Sequence, residues 1–486
     1  MKQVRLYALA LTALLLAGCA DRGGKKVKLN SEADVSGMTV AVMAGSIYDF
    51  EMSKRSDITV TRFSSAPDVV AAITTGYADV MKDDEISLSP GDLRRQNLRI
   101  AFRCAESFDI AFAFRKDDAG TVGLFNTFLE EIRADGTYDA IYHRWFDTLD
   151  PDTVNLPSIE AVAEGQPLRV VTHSMMAPLC FRKGQLWTGF EIELLKRFAA
   201  YAKRPITISL LDAASGSAAL QSGLADVWSG SIFITEERSK MVLFTKPYYQ
   251  CHPAYFVYDG ERAGSGGFWR EMEESFRKNF IQEKRWYFLV DGLKETIIIA
   301  VLSLLLGTLL AAAICWMRMN RRRWLRLLAA TYIDIMRGVP LLVILMLMFY
   351  VVLAPTGLNA TAVAVISFAL VFGAYVSEIF RTAIMSVGKG QTEAGVALGF
   401  TPLQTFLYIV LPQAAKAAMP VYKGEAVSLF KNTSIVGYIA IQDLTKASDL
   451  IRSRTFDAFF PLIIISIIYF VLAWLLGKLL DRIVKN

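Results

Sequence analysis

Two patterns of hydrophobic and polar residues divide the chain near residue 290. Between Met38 and about Gly260, apolar runs of strand length alternate with amphipathic helical segments that stop at glycines, as at Gly76 and Gly223. This alternation predicts mostly parallel sheets with helices on both faces. After Asp291, long uncharged stretches take its place. The pattern therefore predicts an α/β domain followed by an all-α membrane domain.

The uncharged stretches have the length of membrane spans. Residues 297–316 form 20 uncharged residues, about 30 Å as a helix, which is enough to cross a bilayer core. Residues 338–377 contain no charge either, but Pro355 and Gly357 break them into two spans. Residues 458–477 form the last stretch. The pattern predicts four clear spans, at about 293–317, 338–354, 360–382 and 458–478.

Charge fixes the predicted orientation and indicates a fifth span. Five arginines between Arg318 and Arg326 follow the first span, and basic loops stay cytoplasmic, so the α/β domain is expected outside. The basic C-terminus, from Lys478 to Lys485, lies inside only if residues 412–440 also cross. The charges of that span should face a bundle interior or a water-filled path. They are Lys416, Lys423, Glu425 and Lys431.

The net charge does not indicate a nucleic-acid partner. The chain carries +5, but residues 291–486 hold 18 Lys and Arg against 10 Asp and Glu, which leaves −3 for the α/β part. The basic excess belongs to the membrane part. Five cysteines without a CxxC motif, and three distant histidines, predict neither a disulfide scaffold nor a metal site.

The N-terminus has the composition of an export signal. Lys2 and Arg5 precede an apolar run from Leu6 to Ala17, and Cys19 follows small residues. The run resembles a bacterial lipoprotein signal, which implies cleavage before Cys19 and its lipidation. An uncleaved signal with an incidental cysteine stays open. Residues 1–19 are thus predicted as the signal, and the polar residues 20–35 as a flexible tether.

The predicted cytoplasmic loop carries the strongest motif. Residues 393–399, EAGVALG, are followed by IVLP at 409–412, which resembles the EAA loop of ABC-importer permeases. Physically, the segment offers a helix, a glycine turn and a second helix that could dock in a groove of another protein. The resemblance implies an ATPase-coupling role for Glu393, Ala394, Gly395, Gly399, Leu411 and Pro412.

Further segments of the membrane part are similar to the polar amino-acid branch of these permeases. They occur in that family's order, at residues 292–296, 332–342, 374–381, 388–390 and 431–436. The resemblance implies an ABC type-1 permease domain over 291–486 that dimerises and binds two ATP-binding subunits at the EAA loops. A homodimer is expected, and pairing with a second permease stays open. The chain has no GxxxxGK[ST] loop, so it needs no cofactor of its own, and the partner ATPase uses ATP and Mg²⁺.

The exported part resembles the substrate-binding protein of the same family, with its halves in reverse order. Residues 165–255 resemble the family's first half and residues 38–150 its second half. We therefore predict a circularly permuted, two-lobed, type II periplasmic-binding-protein-like domain over 36–262. Lobe A comprises 38–105, lobe B comprises 108–150 plus 165–255, and 263–290 link the domain to the permease. Two separate truncated modules are the alternative.

A free amino acid needs partners for its carboxylate, ammonium and side chain. Arg238 is the predicted carboxylate clamp, because its planar fork makes bidentate bonds. Ser231 and the turn at Gly45 and Ser46 supply hydroxyl and N–H donors. Asp84 matches the family's ammonium-binding acid, although other acids nearby could shift the register. These neighbours are Asp79, Asp83 and Glu85.

Two positions depart from the family's pattern and leave the side-chain specificity open. His173 stands where the family often has Asp, and Met176 stands where an aromatic ring usually stacks on the ligand. Met176 as plain core filler stays an alternative.

The sequence thus predicts a transporter subunit and not an enzyme: an ABC importer chain that joins a receptor for a polar amino acid to its own permease. It would lie in the bacterial inner membrane, with the receptor periplasmic and the C-terminus cytoplasmic. An amino-acid-gated channel and a membrane-anchored sensor are the alternatives. The sequence leaves open which amino acid is carried.

Overall fold

Helices and strands follow each other up to residue 258, and helices alone follow after residue 285. The computed structural model describes residues 26–147, 154–172, 177–183, 186–211, 215–260, 273, 275–281, 285–457 and 460–485. It divides into two compact units, one made of most residues before 284 and one made of most residues after it. The predicted signal, Cys19, residues 20–25 of the predicted tether, His173, Met176 and much of the predicted linker lie outside the described residues.

The first unit contains two five-stranded sheets, whose strands come from both ends of the α/β region. The strands of the first sheet, in spatial order, are β2 (Thr59–Phe63), β1 (Thr39–Met43), β3 (Val80–Asp84), β14 (Pro253–Tyr258) and β4 (Leu98–Arg103). Strands β1, β2 and β3 run parallel, and β14 runs antiparallel to both β3 and β4. Buried apolar residues of β1, such as Val40 and Val42, place this sheet in the core.

The second sheet combines one strand from residues 108–150 with strands from residues 165–255. In spatial order they are β10 (Ile206–Leu210), β7 (Leu168–Thr172), β11 (Val227–Ser229), β6 (Ala113–Phe114) and β12 (Leu243–Phe244). Strand β6 pairs antiparallel with both β11 and β12. Because each sheet needs strands from both halves, the described halves are not two self-contained modules.

The two segments that connect the sheets pair with each other as a two-stranded ribbon. Strand β5 (Phe108–Ile110) pairs antiparallel with β13 (Tyr249–Cys251). The chain passes from β4 through β5 to β6, and from β12 through β13 to β14. The two sheets are therefore the cores of two lobes joined by two paired crossovers. A short hairpin of β8 (Phe181–Lys183) and β9 (Leu186–Thr188) completes the strands.

The predicted boundary of lobe B differs from the structure. We predicted that lobe B extends to residue 255, but β14 starts at Pro253 and lies in the first sheet, between β3 and β4. All six residues of β14 are buried, which identifies a central strand. A continuous buried run predicts a strand without indicating its sheet, because pairing partners are distant in sequence.

Eight α-helices lie before residue 260 in the described residues. They are α1 (Ile47–Met52), α2 (Ala66–Thr74), α3 (Pro90–Arg95), α4 (Ala119–Ala134), α5 (Thr137–Phe146), α6 (Phe190–Tyr201), α7 (Gly216–Gln221) and α8 (Glu236–Met241). Gly189 precedes α6 at a φ of 116°, and a Cβ there would lie 2.4 Å from the carbonyl oxygen of Leu179. Only glycine fits this start of α6.

The second unit is helical. Its α-helices are α9 (Trp286–Met319), α10 (Arg323–Gly338), α11 (Leu341–Leu347), α12 (Ala360–Ser386), α13 (Lys389–Ala397), α14 (Pro402–Thr405), α15 (Leu411–Asn432), α16 (Leu444–Thr455) and α17 (Phe460–Lys485). Short π segments at Met348–Val352 and Phe406–Val410 extend α11 and precede α15, and 3-10 turns cover Ala354–Thr356 and Thr433–Ile439.

Three helices are long and apolar enough to cross a membrane among the described residues: α9, α12 and α17. The pair of α10 and α11 adds a fourth candidate, although it is bent by 105° at its break. The predicted crossing at 412–440 corresponds to α15 and the 3-10 turn after it, and α15 does not pass the same test. The fifth span therefore stays a prediction.

Close helix packing in this unit depends on glycine. A Cβ on Gly307 of α9 would lie 2.8 Å from Cδ1 of Phe372 in α12. A Cβ on Gly292 would lie 2.6 Å from the carbonyl oxygen of Asp443, just before α16. Small residues at such positions let helix backbones approach each other closely.

Candidate functional site

A buried carboxylate shapes the predicted binding loop of lobe B. Glu191, in the first turn of α6, is fully buried, and its two carboxylate oxygens accept hydrogen bonds of 2.7 Å from the backbone N–H groups of Gly230 and Ser231. The hydroxyl of Tyr248 donates a third bond, of 2.6 Å. Burial raises the pKa of Glu191, although these three donors favour its charged form. Glu191 therefore holds the loop after β11 in place.

Ser231 needs that support because its backbone is strained. Its φ of 59° lies in the left-handed region, which residues with a side chain rarely adopt. Such strain persists where neighbouring contacts over-determine the conformation. Glu191 supplies such a contact through the Ser231 N–H. The result is a fixed turn at the start of the segment that leads to Arg238.

Arg238 is a half-buried cation. Its guanidinium donates to the carbonyl oxygen of Phe233 at 3.3 Å and lies 5.6 Å from the centre of the Trp228 ring. No carboxylate of the described residues forms an ion pair with it. Burial lowers the pKa of Arg238. A partly desolvated guanidinium that has no anionic partner among the described residues is suited to receive a carboxylate.

Asp84 ends β3 in lobe A and is also buried. The hydroxyl of Tyr48 donates to its carboxylate, and its own N–H donates to the carboxylate of Asp83 at 2.8 Å. Burial raises the pKa of Asp84, and repulsion by Asp83 raises it further. Burial raises the pKa of Asp83 as well. A cationic partner would stabilise the ionised form of this buried carboxyl group.

The turn at Gly45 and Ser46 is engaged within its own helix start. Ser46 is the N-cap of α1, and its hydroxyl oxygen accepts from the N–H of Asp49 at 3.2 Å. The N–H of Gly45 donates to the carboxylate of Asp49 at 3.0 Å, and Gly45 has a φ of 74°. Arg62 pairs with the same carboxylate at 2.7 Å. The Gly45 N–H therefore has a partner within its own turn, and its predicted role as a donor to the ligand stays a prediction.

Tyr48 contacts side chains of both lobes. Its ring packs edge to face against Phe233 of lobe B, with centroids 6.1 Å apart and an interplanar angle of 79°. A continuous series of contacts thus runs from Asp84 through Tyr48 and Phe233 to Arg238. These contacts link Asp84 of lobe A to Arg238 of lobe B, and Ser231 lies two residues before Phe233 in the chain. His173 and Met176 lie outside the described residues.

Sequence reasoning missed the residues that organise this interface, namely Tyr48, Glu191, Phe233 and Tyr248. Glu191 follows a glycine and a buried phenylalanine at a helix start, so an acid in a buried setting was a detectable signal. Tyr48 and Phe233 gave no comparable signal. Their roles come from contacts between distant parts of the chain.

The predicted coupling loop forms a helical hairpin in the second unit. Helix α13 ends at Ala397, Gly399 turns the chain at a φ of 83°, and Thr401 caps α14 in a reciprocal pair with Gln404. The buried Gly395 packs against the returning segment, since a Cβ there would lie 2.7 Å from Cγ2 of Thr405. The hairpin is therefore closed by a glycine contact.

The outer surface of this hairpin is apolar. Leu398 is 77% exposed, Tyr408 69% and Leu403 67%. Glu393 and Ala394 are exposed on α13, and Leu411 and Pro412 are exposed at the start of α15. Exposed apolar surface of this kind is typical of a site that contacts another protein or a membrane.

The four charged residues of α15 differ in their exposure and in their partners. Lys416 and Lys431 are exposed, and Glu425 is half-buried. The ammonium of Lys423 pairs with both carboxylate oxygens of Asp481 in α17, at 2.7 and 2.8 Å. One of the four predicted charges thus forms an ion pair within the helical unit.

No group of three or more metal-binding side chains occurs in the part of the chain that the structure describes. The candidate site instead consists of one cation, Arg238, buried carboxyl groups and aromatic rings.

The helical unit matches a family of membrane transport proteins. Residues 297–486 match the family model described as "Binding-protein-dependent transport system inner membrane component". The L-cystine transport system permease protein TcyB of Bacillus subtilis (strain 168) is 36% identical over 201 residues, which are 41% of this chain and 86% of that protein. The chain belongs to the polar amino-acid ABC permease family.

Other relatives match the same part of the chain. The putative glutamine transport system permease protein GlnP of Rickettsia felis is 36% identical over 205 residues, covering 41% of this chain and 92% of that protein. A solved structure titled "Crystal structure of an amino acid ABC transporter with histidines" is 33% identical, covers 45% of this chain and 98% of its own, and has a TM-score of 0.39.

These relatives are permease subunits, which are not themselves enzymes. Permeases of this family work with an ATP-binding subunit and a substrate-binding protein.

Proposed function

We propose that this chain is an importer subunit that combines the receptor for a polar amino acid with the permease that transports it. The observation that carries the proposal is the meeting of Arg238 and Asp84 at one interface, in a chain whose helical unit belongs to the amino-acid permeases. Arg238 would bind the α-carboxylate and Asp84 the α-ammonium group.

The arrangement of the lobes supports a closing receptor. Two paired crossovers, β5 and β13, join the sheets, and the predicted ligand groups come from both lobes. A ligand that bridges Arg238 and Asp84 would hold the lobes together. In this proposal the receptor is one circularly permuted domain, because strand β6 inserts between β11 and β12 and strand β14 inserts between β3 and β4.

The apolar hairpin supports docking of an ATPase. The surface around Leu398, Leu403 and Tyr408 is exposed, and buried glycine packing keeps its shape. We propose that two ATP-binding subunits dock on this surface in a permease dimer, and that ATP binding and hydrolysis with Mg²⁺ occur on those subunits. A homodimer is the expected form.

The proposed topology places the receptor in the periplasm and the coupling hairpin in the cytoplasm of a bacterial cell. Five arginines between Arg318 and Arg326 support this orientation through the positive-inside rule. The proposal includes five spans and lipid attachment at Cys19. Mass spectrometry of the mature N-terminus tests the attachment, since a free Met1 would contradict it.

Uptake into proteoliposomes tests the function. The full chain, reconstituted with its ATP-binding subunit, should accumulate a radiolabelled amino acid only when ATP and Mg²⁺ are present on the side of the hairpin. A nucleotide-independent current that is gated by the amino acid would support the channel alternative instead. That alternative has no support from the family to which the helical unit belongs.

A further inference from the structure

The α/β unit contains two buried pairs of a tyrosine and a carboxyl group, one in each lobe. Tyr48 donates to Asp84 in lobe A, and Tyr248 donates to Glu191 in lobe B. Both tyrosines are almost fully buried, and burial beside a carboxylate raises the pKa of each phenol. Both hydroxyls therefore stay protonated and act as donors.

The two carboxyl groups differ in their remaining partners. Glu191 accepts two backbone bonds in addition to that of Tyr248, so both of its oxygens serve the chain itself. In the described residues, Asp84 has Tyr48 as its strong side-chain donor, and the thiol of Cys251 adds a weak one. The Tyr48 hydroxyl therefore holds the position at Asp84 that a ligand's ammonium group would take.

Tyr48 also contacts the opposite lobe. Its ring packs against Phe233, whose own ring lies 5.4 Å from Phe108 of the crossover strand β5. The Phe233 carbonyl accepts from Arg238. The same side chain therefore contacts the predicted ammonium partner with its hydroxyl and the opposite lobe with its ring.

We propose that Tyr48 is an affinity-determining residue: its hydroxyl substitutes for the ligand's ammonium group at Asp84 and must give way when an amino acid binds. This inference rests on the proposed function of the interface. It assigns the ligand class as amino acids with a free α-ammonium group, because only a strong cationic donor displaces a phenol from a buried carboxylate. Each ligand-binding event then includes the loss of one existing hydrogen bond.

Removal of the Tyr48 hydroxyl should consequently tighten binding. The hydrogen bond from the Tyr48 hydroxyl to Asp84 stabilises the unbound protein. Without this bond, the affinity for the amino acid should rise by about tenfold, because a hydrogen bond to a charged group is a strong one. The variant Tyr48→Phe keeps the ring and its contact with Phe233. The matched control is Tyr248→Phe, which removes the other buried hydroxyl but leaves Asp84 untouched.

The experiment uses the full chain in lipid nanodiscs and isothermal titration with each of the common L-amino acids and L-cystine. Wild type should bind at least one of these, Tyr48→Phe should bind the same one about tenfold more tightly, and Tyr248→Phe should not bind it more tightly. An increase in affinity would show that the Tyr48 hydroxyl competes with the ligand for Asp84. Structural damage by the substitution would weaken binding instead.

The other outcomes contradict the inference. Equal or weaker binding by Tyr48→Phe, with wild-type binding intact, overturns the role of Tyr48 and leaves the proposed function standing. Failure of wild type to bind any of these amino acids overturns the proposed function, and the inference falls with it.

A second measurement covers the case in which Tyr48→Phe does not fold. Incorporation of 3-fluorotyrosine at position 48 retains the hydroxyl, and the bound amino acid should shift its ¹⁹F resonance. An unchanged resonance at saturating amino acid overturns the inference.

Discussion

The hydroxyl of Tyr248 lies 2.6 Å from the carboxylate of Glu191, and the same carboxylate accepts the backbone N–H groups of Gly230 and Ser231. This buried acid connects three segments through hydrogen bonds: helix α6, the loop after β11, and Tyr248, the residue just before strand β13. It explains how a serine with a φ of 59° is held in place beside the predicted carboxylate clamp.

Glu191→Gln tests that network. The amide nitrogen would face a donor in place of an acceptor, which leaves one buried backbone N–H without a partner and costs about 2 kcal/mol in free energy of unfolding. Thermal unfolding of the full chain in nanodiscs measures the loss, and amino-acid binding should weaken in parallel. Glu131→Gln, at a solvent-exposed pair with Tyr201, is the control and should change neither.

Arg238→Gln should weaken amino-acid binding by at least about tenfold, because the amide lacks the charge and the planar fork of two nitrogens that binds a carboxylate at both oxygens. Arg238→Lys should retain part of the affinity, since the charge stays and the fork is lost. Equilibrium titration of the full chain gives both values. Arg204→Gln, in the same lobe at a guanidinium bonded to the carbonyls of residues 166 and 167, should bind as wild type does. Equal binding by Arg238→Gln would contradict the clamp.

Asp84 should make stability and binding depend on pH in opposite directions. Burial raises its pKa, so the folded protein holds the proton more tightly than the unfolded chain. That contribution to stability is complete below about pH 4 and is lost as the pH rises through the raised value. Asp84→Asn removes the effect, so its stability relative to wild type should rise between pH 5 and 8, roughly.

Amino-acid binding should follow the ionised form of Asp84. Wild-type affinity should therefore increase over the same pH range, and Asp84→Asn should bind weakly at every pH. Melting temperatures and titrations of both proteins in matched buffers measure the two trends. Parallel stability curves for wild type and Asp84→Asn would contradict a buried, titrating carboxyl group.

Gly395→Ala should uncouple the permease. The added Cβ would overlap Thr405, so the hairpin must open and its apolar surface changes shape. ATP-driven uptake should fall at least about tenfold while amino-acid binding stays intact. Gly390→Ala is the matched control in the same helix, because a Cβ there has open space around it. Equal uptake by Gly390→Ala and Gly395→Ala would contradict the packing argument.

Gly399→Ala and Glu393→Ala probe the same surface in different ways. Alanine at a φ of 83° is strained by about 1 kcal/mol, which weakens the turn of the hairpin. Glu393 is exposed, so its loss removes a contact without a folding cost. Both should reduce ATP-driven uptake in proteoliposomes and leave binding titrations unchanged. A loss of binding in either variant would contradict the separation of receptor and coupling roles.

Local sequence patterns determined the division of the chain and the kinds of element in each part. The uncharged runs gave α9, α12 and α17, and the alternating pattern gave strands β1 and β7 and helix α6, because periodicity and length are local properties. The motif at 393–399 likewise indicated the helical hairpin, and Arg238 and Asp84 as ligand groups stay predictions from the family resemblance.

Tertiary structure decided which strands pair and which side chains meet. Strand β14 belongs to the first sheet although the sequence placed its start in lobe B, since hydrogen-bond partners in a sheet come from distant segments. The same reason applies to Tyr48, whose hydroxyl contacts Asp84 and whose ring contacts Phe233. Sequence specifies the donors, acceptors and rings, and only the fold brings residues 48, 84 and 233 within contact distance.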